Sequence, residues 1–430
     1  MKNEFRLIEN KKIGEKYYYK KHASGLPVFV MPKKFTTYYA VFATKYGSVD
    51  RIFKTKNEKD FITVPDGIAH FLEHKMFENE NGEDTFLRYA RYGGNANAFT
   101  SFDKTAYLFS CTEHFSENLE TLLDFVTKPY FTPETVQKEQ GIIGQEIKMY
   151  DDNPGWRVYF NLLGAMYAKH PVRVDIAGTV GSIAEITADT LYRCYNTFYN
   201  LNNMVLCVCG DVTPEQVEEV VDKVIGTDPA PDPMIERTFP EEPFTINQKK
   251  VSQKMDVAKP LYHIGIKMKP TGKDGSKGAA MSENDVLQRL LFGPDSDFYA
   301  ENYESGLING QFGTDYEEAR DYAHLIISGT HEEPMKVFEK VKEEIEKRKK
   351  QFFSKEDFER EKKTAYASSL FMFDNSSDIA NVYMNSYMNG TDIFESCEYI
   401  ADMPYESLKK RFMEQYDPSM MAISIIEPKQ

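Results

Sequence analysis

The strongest constraint on this chain's fold is that it repeats itself. Phe131-Thr-Pro-Glu-Thr-Val-Gln-Lys-Glu139 is matched in residue type and spacing by Phe353-Ser-Lys-Glu-Asp-Phe-Glu-Arg-Glu361. Leu191 to Tyr199, followed by Asn203-Met204-Val205-Leu206, is matched at nearly the same interval by Leu408 to Tyr416, followed by Ser419-Met420-Met421-Ala422. A weaker third pair sets Met76-Phe77 through Phe86 to Gly93 against Leu291-Phe292 through Phe298 to Gly306. A chance likeness between amphipathic helices would explain one match. Three in the same order at nearly one offset call for two related folding units.

A segment with five prolines, from Ile225 through Pro243, separates the halves. Without apolar periodicity, such proline density predicts an extended, exposed connector. The expected organisation is therefore domain 1–226, connector 227–247 and domain 248–430. Each half mixes strand-like runs with helical ones. Val28–Met31, Tyr39–Ala43, Ala106–Cys111 and Met204–Cys209 read as strands. Ile68–Phe77, Glu113–Val126, Pro133–Tyr150, Pro214–Val224 and Pro334–Lys350 read as helices, and Thr132-Pro133 and Thr213-Pro214 supply start signals. The expected class is α+β: two structurally similar domains, each a largely antiparallel sheet with helices packed on one face.

Composition narrows the function. With 41% hydrophobic and 28% charged residues, the chain can build cores and is neither disordered nor collagen-like. Its apolar runs are too short to span a bilayer, and Met1 to Arg6 leads into a charged segment with no apolar leader, so no membrane is expected. A net charge of −15 argues against nucleic acid as a partner. Five scattered cysteines read as reduced, buried thiols, which points to the cytoplasm.

The chemistry concentrates in His70-Phe-Leu-Glu73-His74. On a helix, residues i and i+4 share a face, so both histidines can reach one metal ion, and Glu73 can reach a water bound to it. A catalytic zinc takes three protein ligands plus water, so a third is needed. Pro133–Tyr150 offers Glu139 and Glu146, which are separated by two turns, about 10.5 Å along the axis. Only one of them can bind directly, leaving the other to support a ligand or the structure.

These motifs resemble the inverted zinc-peptidase family of pitrilysin, insulysin and the mitochondrial processing peptidase. The pattern is His70-x-x-Glu73-His74, with Glu139-(x6)-Glu146 on a helix downstream. Gly94 to Ser101, His170-Pro171, Gly178-Thr179 and Gly210-Asp211 also match the family's first domain. The length resembles the short bacterial branch, including Bacillus-type processing-protease-like proteins. The resemblance implies Zn2+ held by His70, His74 and Glu146, with Glu73 as general base and Glu139 as a supporting acid in the catalytic set. It also implies that Asn97, Ala98 and Phe99 lie on an edge strand that takes an unfolded peptide as an added strand. The activity implied is that of a zinc endopeptidase or oligopeptidase. The alternatives are a non-proteolytic assembly subunit, which has no need of Glu73, and a zinc hydrolase acting on a non-peptide substrate, which does not need an edge strand.

The repeat offsets carry His70, Glu73 and His74 onto Asp285, Gln288 and Arg289, and Glu146 onto Ser368, so the second half holds no equivalent zinc site. The family's substrate-engaging Arg and Tyr fall on Asn302 and Asn309, or, with a shifted alignment, on Arg320 and Tyr322. By the first alignment this chain is expected to be the zinc subunit of a heterodimer whose metal-free relative supplies the pair, with a homodimer as the other form.

Overall fold

The apolar runs form the centres of two mixed sheets in a computed structural model that describes residues 4–271 and 277–429. Met1 to Asn3, part of the stretch read as lacking a leader, lie outside the described residues. The first half contributes β1 (Arg6–Asn10), β2 (Glu15–Lys21), β3 (Pro27–Pro32), β4 (Tyr38–Thr44), β5 (Ile52–Lys54), β6 (Ile62–Thr63), β7 (Asn95–Thr100), β8 (Thr105–Cys111) and β9 (Met204–Gly210). β5 and β6 join β10 (Glu236–Arg237) in a small sheet, and the other seven strands form a sheet ordered β1-β2-β3-β9-β4-β8-β7. β11 (Lys250–Met255), β12 (Leu261–Met268), β13 (Gly313–Glu318), β14 (Ala323–Thr330) and β15 (Met421–Pro428) form a second sheet, ordered β11-β15-β12-β14-β13.

The two sheets share one topology. In the first, β3 runs parallel to β9, and β9-β4-β8-β7 are antiparallel neighbours. In the second, β11 runs parallel to β15, and β15-β12-β14-β13 are antiparallel neighbours. Position by position and in the same chain order, the five strands of the second sheet reproduce five of the first. The internal repeat is thus a repeat of fold.

The compact units differ from the contiguous halves by two segments. One unit comprises Met1–Ile147, Asp175–Phe239 and Leu370–Met388; the other comprises Lys148–Val174, Pro240–Ser369 and Asn389–Gln430. Each unit therefore takes in one helix from the other half of the sequence: Ser376–Asn389 in the first and Pro154–Met166 in the second. Pro154 and Ser376 stand as far apart in the chain as Phe131 and Phe353, so the two helices are the same element of the repeat.

The physical reason lies in the strands. β4 and β9 are buried at nearly every position, and strands apolar on both faces need cover on both. In β12 the alternation can be followed residue by residue. Tyr262, Ile264, Ile266 and Met268 enter the main core of the second unit. The intervening residues meet Pro154–Met166: Lys267 donates to the Met166 carbonyl, and a Cβ on Gly265 would come within 2.3 Å of the Met166 sulfur. In the first unit Tyr383 packs against Tyr17 at 4.8 Å, and Tyr387 against Phe29 at 5.6 Å. The helices expected on one face of each sheet are joined by this one on the other.

The connector is extended, as its prolines require, and pinned along its length. The Ala230 amide donates to the Ser24 carbonyl, and Glu236 and Arg237 pair with β5. Farther on, Glu242 accepts the amides of Ala168, Lys169 and His170 and a bond from buried Lys267. Among the described residues, no helix is long and apolar enough to cross a membrane.

Candidate metal centre

The helix Ile68–Lys75 begins at a turn that only glycine fits well. Gly67 has φ +87°, and a Cβ there would lie 2.3 Å from the Ala177 carbonyl oxygen. Ser182 Oγ donates to the Asp66 carbonyl at 2.9 Å, and Arg51 Nε meets Asp66 Oδ1 at 2.5 Å. The Gly178-Thr179 segment is thus the backbone against which the helix start is seated. Ile68, Phe71 and Leu72 bury one face of the helix, which aims His70 and His74 together, ring centroids 4.6 Å apart.

The second helix, Pro133–Asp151, starts where Thr132 and Thr135 exchange reciprocal side chain–backbone bonds at 3.2 Å. It presents Glu146 to both histidines: Glu146 Oε2 lies 3.8 Å from His70 Nε2 and 3.4 Å from His74 Nε2. His70, His74 and Glu146 are the one group among the described residues with three metal-ligating atoms within 4.8 Å of one another. The spacing suits an ion. At zinc–ligand distances of about 2.0–2.1 Å, a tetrahedral site sets neighbouring ligands about 3.4 Å apart. Two imidazole nitrogens and one carboxylate are also a zinc donor set.

The other acid takes a different position. Glu139, almost wholly buried, lies 3.0 Å from His74 Nδ1, the ring nitrogen not turned to Glu146. Such a carboxylate holds the ring orientation and keeps the proton on Nδ1, freeing Nε2 as a ligand. Burial, reinforced by the neighbouring His74, pulls His70 down to about 4, leaving its imidazole neutral and its lone pair available at ordinary pH. Burial also pulls on His74, but its bond to Glu139 and the Glu146, Glu139 and Glu73 charges outweigh it and push His74 up.

Glu73 is buried on the same helix turn, and burial raises its pKa. Its Oε2 accepts a bond from Thr100 Oγ1 at 2.5 Å. Thr100 ends β7, the edge strand of the seven-stranded sheet. Asn97, Ala98 and Phe99 lie in that strand, paired with Leu108, Tyr107 and Ala106 of β8. Ser101 N donates to Lys104 O across the hairpin, so ladder alternation turns the backbone groups of Asn97 and Phe99 toward β8 and those of Ala98 toward the free edge. Consistent with this, the Ala98 amide is capped by Asn97 Oδ1 at 2.9 Å. Sequence reading placed Thr100 in the strand but missed its bond to Glu73, because the two are far apart in the chain and on different elements.

Other matched residues belong to the second unit. His170, in the second unit, accepts the Val172 amide and is structural. Asn302 is buried and donates to the Phe298 carbonyl at 2.6 Å, and Asn309 donates to the Thr330 carbonyl at 3.0 Å. Tyr322 is buried and donates to Glu317 at 2.5 Å.

Residues 64–180 match the insulinase (peptidase family M16) model, and residues 185–365 match the peptidase M16 inactive domain model. The chain is 40% identical over 426 residues to the uncharacterized zinc protease YmfH of Bacillus subtilis (strain 168), covering 98% of this chain and 99% of that one. A putative M16-like peptidase from Alicyclobacillus acidocaldarius superposes with a TM-score of 0.91 at 33% identity, covering 100% of this chain and 99% of that one. Pitrilysin shares the fold at 13% identity and a TM-score of 0.77, with 99% of this chain covering 46% of that one.

Proposed function

Because this chain belongs to peptidase family M16, we propose that it is a zinc-dependent endopeptidase or oligopeptidase that cleaves unfolded peptides. The observation that carries the reading is the convergence of His70, His74 and Glu146 beside the buried carboxylate of Glu73. Bound by those three residues, zinc would supply a Lewis acid for the scissile carbonyl and acidify a water. Glu73 removes a proton from the attacking water as its oxygen bonds to the carbonyl carbon. It then passes that proton to the amide nitrogen as the C–N bond breaks, leaving an amine and a carboxylic acid, which loses its own proton to solvent. Glu139 holds His74 in the ligating tautomer. The free edge of β7 takes the peptide as an added strand through Ala98, and the Asn97 side chain releases the Ala98 amide to it.

The second domain supplies no Arg/Tyr pair at the positions matched to Asn302 and Asn309, whose amides serve bonds within their own unit. On that ground the working enzyme is a dimer, with a metal-free relative bringing the pair or with a second copy of this chain. Five cysteines that are all buried and free support a reducing cytoplasmic setting. The test is Glu73→Gln: zinc stays bound at one per chain, and cleavage of a quenched-fluorescent peptide library falls at least about a hundredfold. Cleavage at the wild-type rate by the zinc-loaded variant would overturn the mechanism. Co-purification from the native host tells the heterodimer from the homodimer.

A further inference from the structure

The Glu73 carboxylate sits among hydroxyl groups whose protons have settled directions. Thr105 Oγ1 faces the Tyr46 carbonyl at 2.9 Å and Thr100 Oγ1 at 3.3 Å. A hydroxyl has one proton, and the shorter, better acceptor for that of Thr105 is the Tyr46 carbonyl. Thr100 also has one proton, and its choices are Thr105 at 3.3 Å and the Glu73 carboxylate oxygen at 2.5 Å. The charge-assisted bond wins. The proton of Thr100 therefore points at Glu73 Oε2, and Thr105 lies behind as an acceptor.

Thr100 is itself held firmly. It forms the closing register pair of the β7–β8 hairpin with Thr105, which is fully buried, and its β-branched side chain has few rotamers in a strand. Behind Thr105, the hydroxyls of Tyr107 and Tyr199 meet at 2.7 Å, and both tyrosines are buried. The bond from Thr100 to Oε2 opposes rotation of the Glu73 carboxylate.

We propose that Thr100 is a positioning residue for catalysis: its hydroxyl binds Oε2 of Glu73 and so leaves Oε1 as the oxygen that takes the proton from water. The inference rests on the peptidase reading above and adds a division of labour between the two oxygens of the base. It also ties the base to the last residue of the strand assigned to the peptide, so one rigid hairpin sets both. A hydrogen bond to a charged group is the kind whose loss slows a reaction by about 10- to 100-fold.

The test compares Thr100→Val and Thr100→Ser in the full zinc-loaded protein, with a quenched-fluorescent peptide and by crystallography. Thr100→Val should keep one zinc per chain and a KM within about twofold, with kcat down about 10- to 100-fold. Thr100→Ser, which keeps the hydroxyl, should recover kcat to within about threefold of wild type, a rescue that a merely structural role would not give. In zinc-loaded crystals the Glu73 carboxylate should keep its orientation in wild type and in Thr100→Ser, and turn in Thr100→Val. An unchanged kcat in Thr100→Val, a loss confined to KM, or no rescue by serine would overturn the role of Thr100. A wild-type protein that binds zinc and cleaves no peptide, both alone and in the complex co-purified from the native host, would instead overturn the peptidase reading. In that case the carboxylate orientation in the valine variant still decides whether Thr100 positions Glu73, and an unturned carboxylate defeats it.

Discussion

Glu139 and Glu146 share one helix face two turns apart, yet each meets a different nitrogen of His74. That difference separates two variants. Glu146→Gln removes a ligand and should abolish stoichiometric zinc binding. Glu139→Gln leaves all three ligands and should weaken zinc by about 10- to 100-fold, the usual cost of losing a carboxylate behind a ligating histidine. Zinc titration by calorimetry against a competing chelator reads both, and equal losses would remove the distinction. The sequence put both acids on one helix face and limited direct ligation to one of them. Spacing alone could not say which, because that depends on how two helices distant in the chain are seated against each other; it was the family resemblance that pointed to Glu146.

At the scale of elements, β7 combines a free edge with a direct link, Thr100 to Glu73, to the helix that carries His70 and His74. Ladder alternation makes Ala98 the residue whose amide a docking peptide would use. Ala98→Pro removes that amide without disturbing a bond to β8. It should lower kcat/KM for peptides by about tenfold, the worth of roughly one hydrogen bond, while zinc content stays at one per chain. Unchanged peptide kinetics would show that the edge is not the docking strand. Thr132-Pro133 and Thr213-Pro214 begin helices where the sequence put them, because caps and proline act within one turn. The edge strand at Asn97, Ala98 and Phe99 was legible only through the family resemblance, because edge position depends on the whole sheet.

At the scale of the molecule, the exchanged helices decide what can fold alone. A fragment ending at Phe239 lacks Ser376–Asn389, and so leaves the aromatic face of Tyr17 and Phe29 without Tyr383 and Tyr387. Expressed alone it should aggregate; co-expressed with residues 240–430 it should become soluble and bind zinc. A soluble, zinc-binding fragment 1–239 would refute this. Acid should also unfold the chain through a specific histidine. His324 is fully buried, its Nδ1 3.0 Å from the Tyr167 hydroxyl, and burial pulls it down to about 4. The unfolded chain binds that proton near 6.5, so between the two values it binds more protons than the folded one. Stability therefore falls as pH drops through that window, by up to about 3 kcal/mol. Urea unfolding of the zinc-free protein at pH 7 and pH 4.5 measures the fall, and His324→Gln should remove part of it; identical slopes for the two proteins would refute the assignment.

By itself the sequence determined that there are two related α+β units, that the helix carrying His70 and His74 is in the first, and that the second has no counterpart of its His-x-x-Glu-His pattern. Those conclusions rest on residue type at short spacing, such as His70 to His74, and on the order of repeated segments. The tertiary structure alone decided that Thr100 holds Glu73, and that Pro154–Met166 and Ser376–Asn389 each complete the unit of the other half. An amphipathic helix records in its sequence that it has an apolar face; which sheet covers that face depends on where the chain between them crosses.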